Sequence, residues 1–309
     1  MSDTPQFPQV SLSEVFKRID AGTTVVTPNR RLALALKEKF DCEQISRKIT
    51  AWYSADILPF SALIERIYHD ALYTRQPSKL PLLLSAAQEQ VLWESVIQSS
   101  QTGKTLLRIA QTAQTVREAW QLAHAWQLVH RFHDYNPNED GSAFLDWITY
   151  YQDRTTSAHQ TDHARVCDLI TEHYSSLQIK KPSLLICYGF DIFTPQQNAF
   201  LRILTARGCA VLIADLATRQ QRSSADVSRM QYPSSRDEIE QAALWARSKL
   251  EAAGDAVRIG IVVPALANYR GALLRTFSAV MYPDIRFALP GATYPAMPFN
   301  ISLGLALTS

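Results

Sequence analysis

No uninterrupted apolar run in the sequence approaches the roughly 18–20 residues a helix needs to cross a bilayer, so no membrane partner is expected. Cysteine is scarce. Cys42, Cys167, Cys187 and Cys209 lie far apart in apolar or helical contexts, which suits reduced thiols better than a disulfide framework or a zinc knuckle. Residues 1–10 show no basic stretch leading into an apolar one, so no secretory signal is read there. These absences give a cytoplasmic location as the expectation. Charge of one sign is missing too: the net value of +2 rules out a blanket basic surface, and charge alone gives no case for nucleic-acid binding. No internal repeat is found.

What remains is an ordinary globular balance, 47% hydrophobic and 19% charged, over 309 residues, enough for one large domain or two. Charge is uneven locally. Residues 27–48 carry Arg30, Arg31, Lys37, Lys39, Arg47 and Lys48 against three acids, and residues 202–229 carry five arginines against two aspartates. A solvated face is the favoured reading of each stretch.

Short β-branched or apolar runs alternate with helical patterns at both ends of the chain. Strands are expected at 23–27, 183–188, 210–214 and 258–263, and helices at 12–20, 28–40, 195–207, 236–253 and 266–280. Ser11 with Glu14, Ser85 with Gln88, Thr194 with Gln197 and Ser235 with Glu238 have capping-box spacing. Thr27 and Pro28 read as the cap and first residue of a helix. Residues 55–178 are nearly all helical in pattern, with a long helix expected over 104–130. The expected fold is therefore α/β: a RecA- or P-loop-like parallel sheet with helices on both faces and a large helical insertion. Residues 1–54 and 179–309 would form the α/β domain, and 55–178 the inserted helical subdomain.

Several patterns invite a chemical reading. Thr102-Gly-Lys-Thr105 resembles the end of a phosphate loop. Its first glycine position is Gln98, however, and a helix rather than a strand precedes it, so a helix–helix turn is expected. His159 and His163 have a four-residue spacing suited to one helix face, but Gln160 stands where a zincin has glutamate. No GxSxG elbow occurs. Asp191 and Asp215 follow strands, where α/β folds place functional carboxylates. The six tryptophans mostly fall on apolar stripes and are expected in cores rather than as base-stacking platforms. The strongest candidate is the turn from Thr27 to Arg31. It joins a strand's carboxyl end to a helix start, where N–H groups, Asn29, Arg30 and Arg31 could meet phosphates.

Six ordered segments carry a family resemblance. They are Val25-Val-Thr-Pro-Asn-Arg-Arg-Leu-Ala33, Ile57-Leu-Pro-Phe60, Leu84-Ser-Ala-Ala-Gln-Glu-Gln90, Gly189-Phe-Asp-Ile-Phe-Thr-Pro-Gln-Gln197, Ile259-Gly-Ile-Val-Val-Pro264 and Phe299-Asn-Ile-Ser-Leu-Gly304. Together they resemble the N-terminal region of AddB-like DNA-repair proteins, relatives of the second subunit of the AddA–AddB helicase–nuclease. The resemblance implies a superfamily-1 helicase-like first domain. It also implies longer relatives ending in a RecB-type nuclease, so this chain would be a truncated piece. Two departures follow. No GK[ST] precedes the strand at 23–27, and Tyr188-Gly-Phe-Asp191 lacks the paired acids of a magnesium motif, leaving Asp191 at a degenerate position. The expectation is a non-catalytic module with no cofactor, no metal and no catalytic residue. It would contact single-stranded DNA or duplex ends through Thr27, Asn29, Arg30 and Arg31, or scaffold an AddA-like helicase–nuclease subunit. Two rivals stand beside it: an active P-loop ATPase using Gly103, Lys104 and Thr105, and a protein-interaction module that binds no DNA.

Overall fold

A computed structural model describes residues 7–73, 80–134, 138–175, 181–215, 227–253, 257–283 and 297–302. The chain forms two compact units, Met1–Gln221 and Arg222–Ser309.

The first unit is built on a five-stranded sheet: β1 (Gln9–Ser11), β2 (Thr23–Thr27), β3 (Asp56–Pro59), β6 (Leu184–Tyr188) and β7 (Ala210–Asp215). Its order is β1-β7-β6-β2-β3, and every neighbouring pair is parallel. Parallel strands need crossover helices, and both faces are covered accordingly. Successive strand residues alternate between two cores. Val25, Ile186, Tyr188 and Leu212 pack with α1 (Leu12–Arg18) and α2 (Arg30–Ser46). Val26, Leu185, Cys187 and Val211 pack with α3 (Phe60–Leu72), α7 (Val166–His173) and α8 (Pro195–Ala206). The α/β class, the parallel sheet and the helices on both faces are as expected; the layering is one that Rossmann-like and P-loop-like folds share.

Between α3 and α7 lies a helical block with its own core. α4 (Ala86–Ser99), α5 (Ile109–Ala125) and α6 (Glu139–Ser157) enclose Trp93, Trp120, Trp147 and Tyr151. The rings of Trp93 and Tyr151 stack at 3.8 Å, and Trp120 meets both edge-on. A two-residue parallel bridge, β4 (Leu82–Leu83) with β5 (Gln160–Thr161), ties the start of the block to its end. The Tyr68 hydroxyl reinforces it by donating to the Pro81 carbonyl and accepting from Leu83 N–H.

Several expectations change. Three strands, not one, precede the helical block. β1 and β3 are edge strands too short and too polar to stand out, and Pro59 sits at an edge where a missing N–H is tolerated. The helix expected over 104–130 is α5 alone, flanked by 3₁₀ turns at Thr102–Thr105 and Val129–Asp134. Residues 258–263 form no strand. The second unit offers them no strand to pair with among its described residues: it pairs α9 (Ser235–Ala253) with α10 (Leu266–Met281). Ile259 and Val263 pack on the small core between those helices while Val262 is 90% exposed. Among the described residues, no helix is long and apolar enough to cross a membrane.

Candidate functional site

Strand order locates the natural ligand crevice. β2 leads through α2 outward to β3, whereas β6 leads through α8 in the opposite direction to β7. The reversal falls between adjacent β2 and β6, and ligands of open α/β sheets collect at the carboxyl ends of strands at such a point. The two loops that meet there are Thr27–Arg31 after β2 and Gly189–Asp191 after β6. They touch: a Cβ on Gly189, whose φ of +79° already suits glycine, would stand 2.3 Å from Leu32 Cδ2. So two segments about 160 residues apart in sequence, both singled out from the sequence, share one edge.

The turn itself differs in detail from the sequence reading. Thr27 is not the helix cap. It ends β2, is fully buried, and its hydroxyl donates to the Asn29 carbonyl at 2.8 Å, so its side chain cannot reach a ligand. Asn29 is the cap. Its backbone is extended, and its Oδ1 accepts the Leu32 N–H at 2.9 Å, quenching one of the donors a helix start leaves open. Pro28 precedes the cap rather than opening the helix. Arg30 and Arg31 occupy the first turn of α2 with exposed side chains, and Asp191 is exposed on the facing loop. The backbone of Asp215 closes β7, but its side chain lies outside the described residues.

The glycine–lysine motif is elsewhere. Thr102–Thr105 is a single 3₁₀ turn between α4 and α5, the helix–helix turn expected. Gly103 is buried, and its N–H is spent on Ser100 Oγ at 2.9 Å. A Cβ there would lie 1.7 Å from the Ile97 carbonyl oxygen, so the glycine serves close packing. Lys104 Nζ donates to Gln101 Oε1 at 3.0 Å.

His159 and His163 do not share a helix. His159 takes a positive φ of 52° just after α6, and His163 follows β5. His163 instead anchors a buried polar network that leaves no trace in the sequence pattern. Both its N–H and Nδ1 meet the buried carboxylate of Glu89, and its Nε2 lies 3.5 Å from Glu65 Oε1. The hydrogen bond with Glu89, reinforced by the charges of Glu89, Glu65 and Asp162, raises the His163 pKa against the opposing effect of burial. Beside it the buried Asp162 accepts from Trp120 Nε1, Arg165 N–H and Arg165 Nε. Only three-dimensional proximity joins these residues, since α4 and the β5–α7 link are some 70 positions apart.

His124 Nδ1 faces Asp168 at 3.2 Å, His130 lies in the 3₁₀ turn after α5, and the side chain of His133 is outside the described residues. No group of three or more metal-ligating side chains occurs among the described residues. Cys167, Cys187 and Cys209 are buried free thiols, and burial drives their pKa values up, to about 12, 12 and 11. That leaves them protonated and poor nucleophiles. Trp93, Trp120 and Trp147 are core residues as expected, while Trp126 and Trp245 are exposed.

No family model matches the chain, and no curated protein matches it.

Proposed function

We propose that this chain is a non-catalytic, helicase-like module of an AddB-like protein of DNA double-strand-break repair, contributing DNA contact and scaffolding for a helicase–nuclease partner. One observation carries the reading. The crevice where the strand order reverses is bordered by a helix start bearing Arg30 and Arg31, while the chain's GKT sequence is spent on a closed turn in the helical block. A helix start with two exposed guanidinium groups suits a phosphodiester backbone: the helix dipole favours the anion, and each arginine can hold a phosphate oxygen pair. No GK[ST] stands before β2, so this edge lacks the loop with which P-loop NTPases hold the triphosphate of ATP. Asn29 and the two arginines are the residues assigned to phosphate contact; Thr27 supports the turn from within.

The test is a salt titration of single-stranded DNA binding. Affinity should fall steeply with ionic strength. Replacing Arg30 and Arg31 together by alanine should weaken binding about tenfold or more and flatten the logarithmic salt slope by about 0.7 for each phosphate no longer neutralised. Affinity and slope equal to wild type would remove the assignment. Co-purification with an AddA-like subunit by a chain that ignores DNA would leave scaffolding as its role.

A further inference from the structure

At the opposite edge of the sheet, the amino ends of β2 and β3, a second cleft of about 500 Å³ opens. It is walled by the last turns of α1 and α2 and by the strap Trp52–Ser54 that enters β3. Its volume lies within the range of small-molecule sites.

Gln44 is the informative residue. Its side chain lines this cleft, yet the residue is only 6% exposed, and its amide makes no hydrogen bond among the described residues. Its amide atoms are not among the fully buried unpaired ones, so they open onto the cleft and are available to a ligand there. An amide offers a donor and an acceptor side by side, and it is matched by a partner presenting the same pair in reverse. The surroundings are aromatic. Phe16 and Phe40 meet edge to face at 5.8 Å at the back. Trp52 is pinned by its Nε1–H to Asp41 Oδ1 at 2.8 Å, and Tyr53 stands at the rim with 92% of its surface exposed. Asp20 adds an acceptor: its Oδ1 is taken by Gly22 N–H and the Thr23 hydroxyl, while Oδ2 makes no hydrogen bond among the described residues. Lys17 is exposed at the mouth.

We infer that this cleft binds a nucleobase, with the Gln44 amide pairing its donor–acceptor edge and the Trp52–Tyr53 strap stacking on its face. A planar heterocycle with both donors and acceptors on one edge meets the Gln44 amide and the aromatic strap together, which an aliphatic or purely anionic ligand does not. Lys17 is placed for the attached phosphate. The base could arrive on a free nucleotide or as one residue of a single strand. The inference does not rest on the arginine-bearing edge, which lies at the other end of the strands.

Calorimetric titration of the full chain distinguishes the outcomes. The probes are the four deoxynucleoside 5′-monophosphates, a single strand of about twelve mixed nucleotides, and an abasic strand of equal length. Binding of a monophosphate identifies a free nucleotide as the source. Binding of the base-bearing strand well above the abasic one, without monophosphate binding, identifies a strand. In either case Gln44→Leu and, independently, the fully exposed change Tyr53→Ala should each weaken binding about tenfold. Both variants keep Arg30 and Arg31, so weakened phosphate binding at that edge cannot mimic the result. Equal affinity for the abasic and base-bearing strands with no monophosphate binding, binding of no probe, or wild-type affinity in both variants overturns the inference.

Discussion

The helical block and the carboxyl edge of the sheet draw on the same residue types and treat them in opposite ways. In the block the polar groups around the glycine–lysine turn and the Glu89–Asp162 cluster are closed on neighbours, although the buried Trp93 Nε1 and Tyr151 hydroxyl make no hydrogen bond among the described residues. Ser100 Oγ accepts from Gly103 N–H and from Trp147 Nε1 while donating to the Ile97 carbonyl. Asp162 holds Arg165, and Glu89 holds His163. At the sheet edge the Asn29 cap and the buried Thr27 hydroxyl are engaged in this way, while Arg30 and Asp191 stand in solvent. A glycine, a lysine and two threonines therefore do not by themselves make a phosphate site when the glycine is buried and its N–H already spent on Ser100 Oγ. What recommends the plainer sequence Pro28-Asn-Arg-Arg31 is its position where the sheet's strand order reverses.

The contrast breaks most readily at Gly103. If the turn is closed packing, adding a methyl group there must displace the Ile97 carbonyl, which a Cβ would approach to 1.7 Å. Gly103→Ala should cost about 3 kcal/mol, at the upper end of overpacking penalties, lowering Tm by roughly 6–12 °C in a unit of this size. Lys104→Ala should leave Tm within error, because an exposed bond to Gln101 contributes little. A tolerated Gly103→Ala would mean the turn is looser than a packing role allows.

A middling effect is expected from His163, and its pH dependence sharpens the contrast. Its pKa is raised in the folded protein, chiefly by the hydrogen bond to Glu89. A histidine raised above its unfolded value of about 6.5 contributes fully below that pH, and the contribution is lost as pH rises through the folded pKa. His163→Gln should therefore lower Tm most between about pH 5.5 and 6.5, with the deficit shrinking toward pH 9. Thermal melts of both proteins across that range measure it. A deficit that stays constant with pH would show that the charge on His163 contributes nothing and that only its packing and backbone bond matter.

Much of the molecule is legible in its residues, and what is not has physical causes. The full capping boxes at Ser85 with Gln88 and Thr194 with Gln197 form as their spacing predicts, because a cap depends on residues within one turn. The central strands β2, β6 and β7 are buried on both faces, so they read as apolar runs. Edge strands carry no such mark: β1 buries one side chain of three, and β3 starts on Asp56 and ends on Pro59. Asp56 proves structural. Burial raises its pKa, but hydrogen bonds from Arg66 and Thr24 overcome that and hold it below the usual carboxylate range. Ile259–Val263 fails in the other direction, since an apolar run becomes a strand only beside another, and the described residues of its unit offer none. The Glu89–His163 pair and the Gln44 cleft join residues from separate elements, so no local pattern announces either.

The smallest effect falls on the residue where cap and candidate ligand contact coincide. Asn29→Ala removes the acceptor that Leu32 N–H now uses at 2.9 Å. The loss should be about 1 kcal/mol, or roughly 2–4 °C in Tm. That alone does not separate a structural cap from a phosphate contact, because a frayed first turn would also displace Arg30 and Arg31. Asn29→Asp does separate them. Aspartate caps as well as asparagine, and its charge favours the helix start, so Tm should hold or rise slightly. The same charge repels a phosphate, so single-stranded DNA affinity should drop several-fold at low salt and approach wild type as salt screens it. If Asn29→Asp kept both its stability and its low-salt DNA affinity, phosphates would not be approaching this turn, and the polar edge of the sheet would be as silent toward DNA as the closed turn at Gly103.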